Sequence, residues 1–339
     1  MHPSRRKLLQ CLAALTVLPV WRAASAADTL IRVNIPGPNL MPFFPLELIR
    51  PLKIDQALGV RLAVRYLPSG VVATDDMLLG NADFAGVAFP VLPNYLSKGK
   101  PLKAIVSLNA GRPPIALVVR KPLAGTIRRV ADLRGRTIGT QIGSATTKTY
   151  LNVLAELWIA AHGIKSSEVR WAPTHQNLEG IRGAMSGDMV DAVCVEEPAA
   201  SMLVREGLGV RLASLGETQK AAQMAGEHHF RAVLVTTPAA IQADPRRAGQ
   251  MVQMVQRALG WMQGATPDQI VEQLAIEDKA WRQTLIEVLK TLPQLYSRDG
   301  AFTPAEFKST REFIQLAGIN MPDGKDITDL VDDRWVRVR

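Results

Sequence analysis

The stretch DLRGRTIGTQIGSATTKTYLNVL, residues 132–154, organises this chain. Gly135-Arg136 turns into a short apolar run, Thr137-Ile138-Gly139. A turn rich in Gly, Ser and Thr comes next, and an apolar period of three and four begins at Tyr150, Leu151 and Leu154. That order predicts a strand, a glycine turn and a helix running from Thr146 to Ala161. The first N–H groups of a helix have no intrahelical partner, so Gly143, Ser144, Ala145 and Thr146 are placed to offer donors to an anionic or carbonyl-bearing ligand. An ordinary N-cap has the same composition. The segment lacks the Gly-Lys-Ser/Thr ending of a phosphate-binding loop and the chain has no G-x-G-x-x-G, which disfavours a nucleotide.

Working outward, strands and helices alternate. Thr29 to Ile35 predicts a strand that stops at Pro36-Gly37-Pro38-Asn39. A helical segment through Leu46 and Leu52 follows, then a strand over Val60–Tyr66, ended by Pro68-Ser69-Gly70. A helix to Leu79, a strand at Asp83–Val87, a helix from Pro90 and a strand over Lys103–Leu108 complete a βαβαβ pattern. The theme repeats after Ile115–Val119, with strands at Thr137–Gly139, Val169–Trp171 and Asp191–Val195. Gly80-Asn81-Ala82-Asp83 and Gly187-Asp188-Met189-Val190-Asp191 each place a helix end and an aspartate before a buried strand, implying two similar α/β lobes. The last third is helical: Asp244-Pro245, Thr266-Pro267-Asp268-Gln269 and Thr303-Pro304-Ala305-Glu306 are N-terminal capping patterns. The methionine stripe at Met251, Met254 and Met262 fits core packing.

The 339 residues are 47% hydrophobic and 21% charged, enough for two domains with real cores. The first 26 residues carry a basic segment with Arg5-Arg6, an apolar run from Cys11 to Val20 and Ala24-Ser25-Ala26, the pattern of a signal peptide cleaved near Ala26 and of twin-arginine type. The apolar run is too short to span a bilayer. Cys194 is then the one remaining cysteine, so no intrachain disulfide is expected. The formal charge is +9, but Arg5, Arg6, Lys7 and Arg22 lie in the signal, and basic residues form no run interleaved with aromatics. Nucleic acid is therefore disfavoured, while a modest positive field suits anions. His228-His229, His162 and His175 lack metal-ligand spacing, so neither a metal nor a cofactor is expected.

The signal, the two lobes, the strands Asp83-Phe84-Ala85-Gly86-Val87 and Asp191 to Pro198, the segment Asp132–Gly139 and the helical tail together resemble one family. It comprises the periplasmic solute-binding proteins of ABC importers of the nitrate, sulfonate, taurine and thiamine-precursor type, the NMT1/THI5-like proteins. The resemblance covers about Thr29 to Arg337. It implies an α/β fold of periplasmic binding protein type II: two lobes joined by a two-strand hinge, with a helical C-terminal extension. The expected division is 28–112 for the first part of lobe one, 113–231 for lobe two and 232–339 for the rest of lobe one and the C-terminal helices.

By the same resemblance, ligand contacts fall on Pro38 and Asn39, on Ser69 and Gly70, on Ala88 and Phe89, on Asn109 at the crossing, on Gly143, Ser144, Ala145 and Thr146, and on Glu196 and Glu197. Where the family commonly has Trp-Glu-Pro, this chain has Glu196-Glu197-Pro198. A carboxylate facing a cleft favours an amine or hydroxyl donor; alternatively the glutamates are solvated or pair with an arginine. The resemblance implies a non-enzymatic component that captures a small anion, sulfonate, taurine or nitrate-like, or a thiamine-precursor pyrimidine. It would act in the periplasm as a monomer, with a membrane permease and an ATPase as partners. The other reading is an enzyme on the same scaffold, desulfinase-like or pyrimidine synthase-like, although Cys194 lies in an apolar strand with no histidine at recognisable spacing.

Overall fold

The computed structural model describes residues 29–336 apart from 142, 146, 176, 216–227 and 293. The expected signal peptide therefore lies outside the described residues, as does Thr146. Lobe one opens with β1 (Thr29–Pro36), α1 (Phe44–Glu47), β2 (Val60–Leu67), α2 (Gly70–Leu78), β3 (Phe84–Ala88), α3 (Leu92–Ser97) and β4 (Lys103–Ser107). The chain crosses to lobe two as β5 (Ile115–Arg120), then forms β6 (Thr137–Gln141), α4 (Tyr150–Ala160), β7 (Arg170–Thr174), α5 (Leu178–Ser186), β8 (Ala192–Glu196), α6 (Ala199–Arg205) and β9 (Gly209–Ser214). It returns as β10 (Ala232–Thr236) and ends in α7 (Pro238–Ala243), α8 (Pro245–Gly264), α9 (Pro267–Gln273), α10 (Lys279–Thr291) and α11 (Pro304–Leu316).

Two five-stranded sheets result, ordered β2-β1-β3-β10-β4 and β7-β6-β8-β5-β9. In each, the first three strands are parallel, and the strand that has just crossed enters antiparallel beside the third. Strands β5 and β10 are apolar and buried almost throughout, as interior strands covered on both faces must be. The two aspartates do the same work in both lobes. Asp83 accepts from Arg32 N at 2.7 Å and Asp191 from Thr137 N at 2.8 Å, each carboxylate just before its own strand taking a backbone N–H of the neighbouring one where the ladder between them begins.

Some boundaries differ from the sequence expectation. Helix α4 starts at Tyr150, capped by Thr149 accepting from Asn152 N, because Ser144 N donates back to Thr147 O at 3.1 Å and holds the preceding residues in a turn. The expected helix over 46–52 contracts to α1 and turns. The C-terminal capping patterns hold: Thr266 with Gln269 and Thr303 with Glu306 form capping boxes, and Asp244 accepts from Arg247 N. Met251, Met254 and Val255 of α8 pack into the lobe-one core beside Ile105 and Leu234, while α9 and α10 cover Met41, Phe44 and Leu48. Phe313 of α11 stacks on His229 at 4.0 Å beside the crossing.

Candidate functional site

The C-terminal ends of β1, β3, β6 and β8 face one another across the two lobes, the position where open α/β sheets gather ligands. A cavity of about 40 Å³ lies there, bounded by Pro36, Phe43, Gly70 and Ala88 from lobe one and Gln141, Tyr150 and Glu196 from lobe two, with Arg231 from the crossing segment. Space of that size holds no more than a few waters.

Arg231 precedes β10 and is 3% exposed. Its Nη1 donates to Arg112 O at 3.2 Å, but Nε and Nη2 are buried with no hydrogen-bond partner among the described residues. Those two nitrogens form the edge by which an arginine grips an oxyanion, as Arg311 does on Asp326 with Nε at 2.9 Å and Nη2 at 2.7 Å. Burial lowers the Arg231 pKa, yet a guanidinium remains charged in proteins. A buried cation with an empty bidentate edge is costly unless an anion joins it.

Glu196 ends β8 and is part-buried on the same cavity. It has no hydrogen-bond partner among the described residues, and loss of hydration pushes its pKa up to about 7, against the pull of the Arg231 charge. Tyr150 Oη lies 3.0 Å from His229 Nε2, and burial keeps the phenol protonated. Behind Glu196 a second cavity, of about 20 Å³, shares Gln141, Leu151 and Glu196 with the first and reaches Cys194 and Trp281. Cys194 is 1% exposed and its thiol is pushed up to about 12, so it is held as an uncharged core side chain rather than a thiolate. Among the described residues no cluster of His, Cys, Asp or Glu could hold a metal ion.

The structure brings Gly70, Ala88 and Glu196 to the cavity; the other described sequence candidates do not line it, and Thr146 lies outside the described residues. Pro38 and Asn39 open instead onto an outer depression of lobe one, where Asn39 N donates to Glu47 at 3.1 Å, because the turn at Gly37 points them outward and Pro42-Phe43 take the inner wall. Ser69 is the buried N-cap of α2, accepting from Val72 N. Phe89 joins the buried cluster of Phe230, Phe302 and Phe307, 5.2 Å from Phe230. Asn109 is used internally: it donates to Pro42 O and accepts from Ala232 N, and so anchors the inner wall.

Gly143, Ser144 and Ala145 occupy the turn before α4 and line neither cavity; Thr149, Tyr150 and Leu151 do so in their place. Glu197 borders the second cavity, but its carboxylate is engaged by Arg211 Nη1 at 2.6 Å and by Ser201 N at 3.0 Å. Of the two glutamates, one is paired and one is not. Sequence reasoning missed Arg231 and Tyr150. The available signal for Arg231 was a lone arginine inside the apolar run Phe230 to Val235 at the expected crossing.

The fold matches solved structures closely. A protein from Bordetella bronchiseptica RB50 superposes with a TM-score of 0.78 at 20% identity, covering 91% of this chain and 96% of that one. The alkanesulfonate-binding protein SsuA from Xanthomonas axonopodis pv. citri, bound to MOPS, gives 0.71 at 16% identity, covering 91% and 99%. The periplasmic nitrate-binding protein NrtA from Synechocystis PCC 6803 gives 0.60 at 14% identity, covering 78% and 70%. These likenesses identify the fold as that of the periplasmic solute-binding proteins. No curated protein matches the chain by sequence. The model of the NMT1-like family matches residues 41–276, well over half of the chain and a span that runs from before β2 to beyond β10: this protein belongs to the NMT1-like family.

Proposed function

We propose that this protein is the solute-binding component of an ABC importer. It captures a small anion between its lobes and delivers it to a membrane permease, acting in the periplasm after removal of residues 1–26. The observation that carries this reading is the Arg231 guanidinium, buried in the cavity wall with Nε and Nη2 unpaired. An oxyanion such as a sulfonate, carboxylate or nitrate supplies what that edge lacks, and a neutral pyrimidine does not. The binding proteins named above, for sulfonate and nitrate, support the same class of solute. A desulfinase-like role is the weaker reading, because Cys194 is buried and its thiol is held protonated.

Isothermal titration of the chain lacking residues 1–26 against nitrate, alkanesulfonates, taurine and short carboxylates tests the proposal. One class should bind reversibly without turnover, and Arg231→Gln should weaken it by about 30-fold or more, the loss expected when one partner of a buried charged contact is removed. Affinity unchanged by that substitution, or no binding across the panel, would overturn the assignment.

A further inference from the structure

Trp281 stands in the first turn of α10, where Asp278 caps the helix by accepting from Trp281 N at 2.9 Å. Its side chain packs against both the α9–α10 cluster of lobe one and the lobe-two cluster that contains Ile181, Ala199 and Leu203. The lobes are held together here: Thr284 Oγ1 lies 3.1 Å from Met202 Sδ, and Arg205 pairs with Glu287 at 2.5 Å. Trp281 thus reaches the second cavity from the opposite lobe and walls it.

The Trp281 Nε1–H is buried with no acceptor among the described residues. By contrast, the part-buried indole of Trp171 in β7 donates to Ser166 Oγ at 3.0 Å, the kind of partner a buried indole normally finds. Two unmet demands therefore lie on two adjoining cavities: an oxyanion-gripping edge at Arg231 and an orphan donor at Trp281. Glu196 lines both, and its carboxylate has no hydrogen-bond partner among the described residues. Trp281 also lies beyond residue 276, where the match to the family ends, so this wall is supplied by a part of the chain outside the shared region.

We infer that the solute is a small organic anion whose tail carries a hydroxyl or primary amide, the anionic head on Arg231 and the tail group accepting from Trp281 Nε1 and donating to Glu196. This rests on the cleft reading given above. A hydroxyl or primary amide both accepts and donates, and so satisfies both protein groups. An alkyl tail leaves the indole donor orphaned, an ammonium cannot accept from it, and a second carboxylate opposes Glu196. A buried donor left unsatisfied is what gives a polar site its discrimination against the analogue lacking the group.

The test titrates propane-1-sulfonate against 3-hydroxypropane-1-sulfonate, and butyrate against 4-hydroxybutyrate, on the wild-type chain and on the Trp281→Phe and Arg231→Gln variants. Wild type should favour the hydroxylated member of a pair by about tenfold. Trp281→Phe, which keeps an aromatic wall but removes the N–H, should erase that preference by weakening the hydroxylated member more than the plain anion. Arg231→Gln should weaken both members alike. No preference in wild type, or an equal loss of both members in Trp281→Phe, overturns this inference while leaving the cleft reading intact, provided Arg231→Gln still weakens both. If no member binds, or Arg231→Gln changes nothing, the cleft reading falls and this inference falls with it. The wild-type preference alone decides the matter should Trp281→Phe fail to fold.

Discussion

Arg231 and Glu196 border the same buried cavity, yet no ion pair joins them: the guanidinium keeps its Nε and Nη2 edge unpaired and the carboxyl accepts no hydrogen bond. They sense each other's charge at a distance, from the crossing segment and from the end of β8.

The pH dependence of stability follows from Glu196 and Glu47, both raised to about 7 by loss of hydration. The unfolded carboxyls ionise near 4.5, so from there to about 7 the folded chain holds more protons than the unfolded one. Stability therefore falls as pH rises through that window, by on the order of 3 kcal/mol per group at most. Urea melts at pH 5 and pH 8 should show this decline, and Glu196→Gln should flatten it. A slope unchanged in Glu196→Gln, with Glu47→Gln equally silent, refutes the linkage.

Anion affinity should decline over the same range. Ionised Glu196 faces the site that the anion enters, and like charge in a buried cavity opposes binding. Titrations at pH 5.5 and 8.5 should differ several-fold in wild type and far less in Glu196→Gln.

Lys98, the C-cap of α3, bridges the lobes: its Nζ donates to Thr147 Oγ1 at 2.8 Å from lobe one to lobe two. Losing one such charged contact costs about 1–2 kcal/mol of the closed form. Lys98→Ala should enlarge the radius of gyration measured by X-ray scattering and weaken the solute by about fivefold or more. Scattering curves identical to wild type would show that the contact does not govern closure.

Gly86 lies where a Cβ would meet the Phe43 ring at 2.8 Å and Ile35 at 3.2 Å. Phe43 walls the cavity, so Gly86→Ala should push the ring inward, costing about 1–3 kcal/mol of stability and lowering affinity together. Stability that drops with affinity unchanged would place the strain elsewhere.

The Glu197–Arg211 pair is structural. Glu197 is 8% exposed and accepts from both Arg211 and Ser201 N, beside the cavity rather than facing the Arg231 edge. Glu197→Ala leaves a part-buried arginine without its partner and should cost roughly 3 kcal/mol in chemical denaturation. Anion selectivity should remain that of wild type.

Much of the architecture was legible because it depends on local signals. The apolar runs Val60–Tyr66, Ile115–Val119 and Asp191–Val195 became β2, β5 and β8, and the Thr-Pro capping patterns became the N-termini of α9 and α11. Even the repeated Gly-to-Asp spacing carried meaning, since Asp83 and Asp191 each accept from a backbone N–H of the neighbouring strand. The start of α4 was misplaced by four residues because a hydrogen bond from Ser144 back to Thr147 holds the turn open, and periodicity does not register such a bond.

The site was legible only in part, for a reason that distinguishes two kinds of information. Hydrophobic period, turn residues and caps act between neighbours along the chain, so the sequence by itself determined two α/β lobes, their order and the strand ends that face the cleft. Whether Glu196 or Glu197 is paired depends on Arg211, which β9 brings alongside. Whether Arg231 has a partner depends on what two separately folded sheets leave between them. Trp281 reaches a lobe-two cavity because α10 is packed on lobe one. Those are properties of groups distant in the chain and close in space, and only the tertiary structure could decide them.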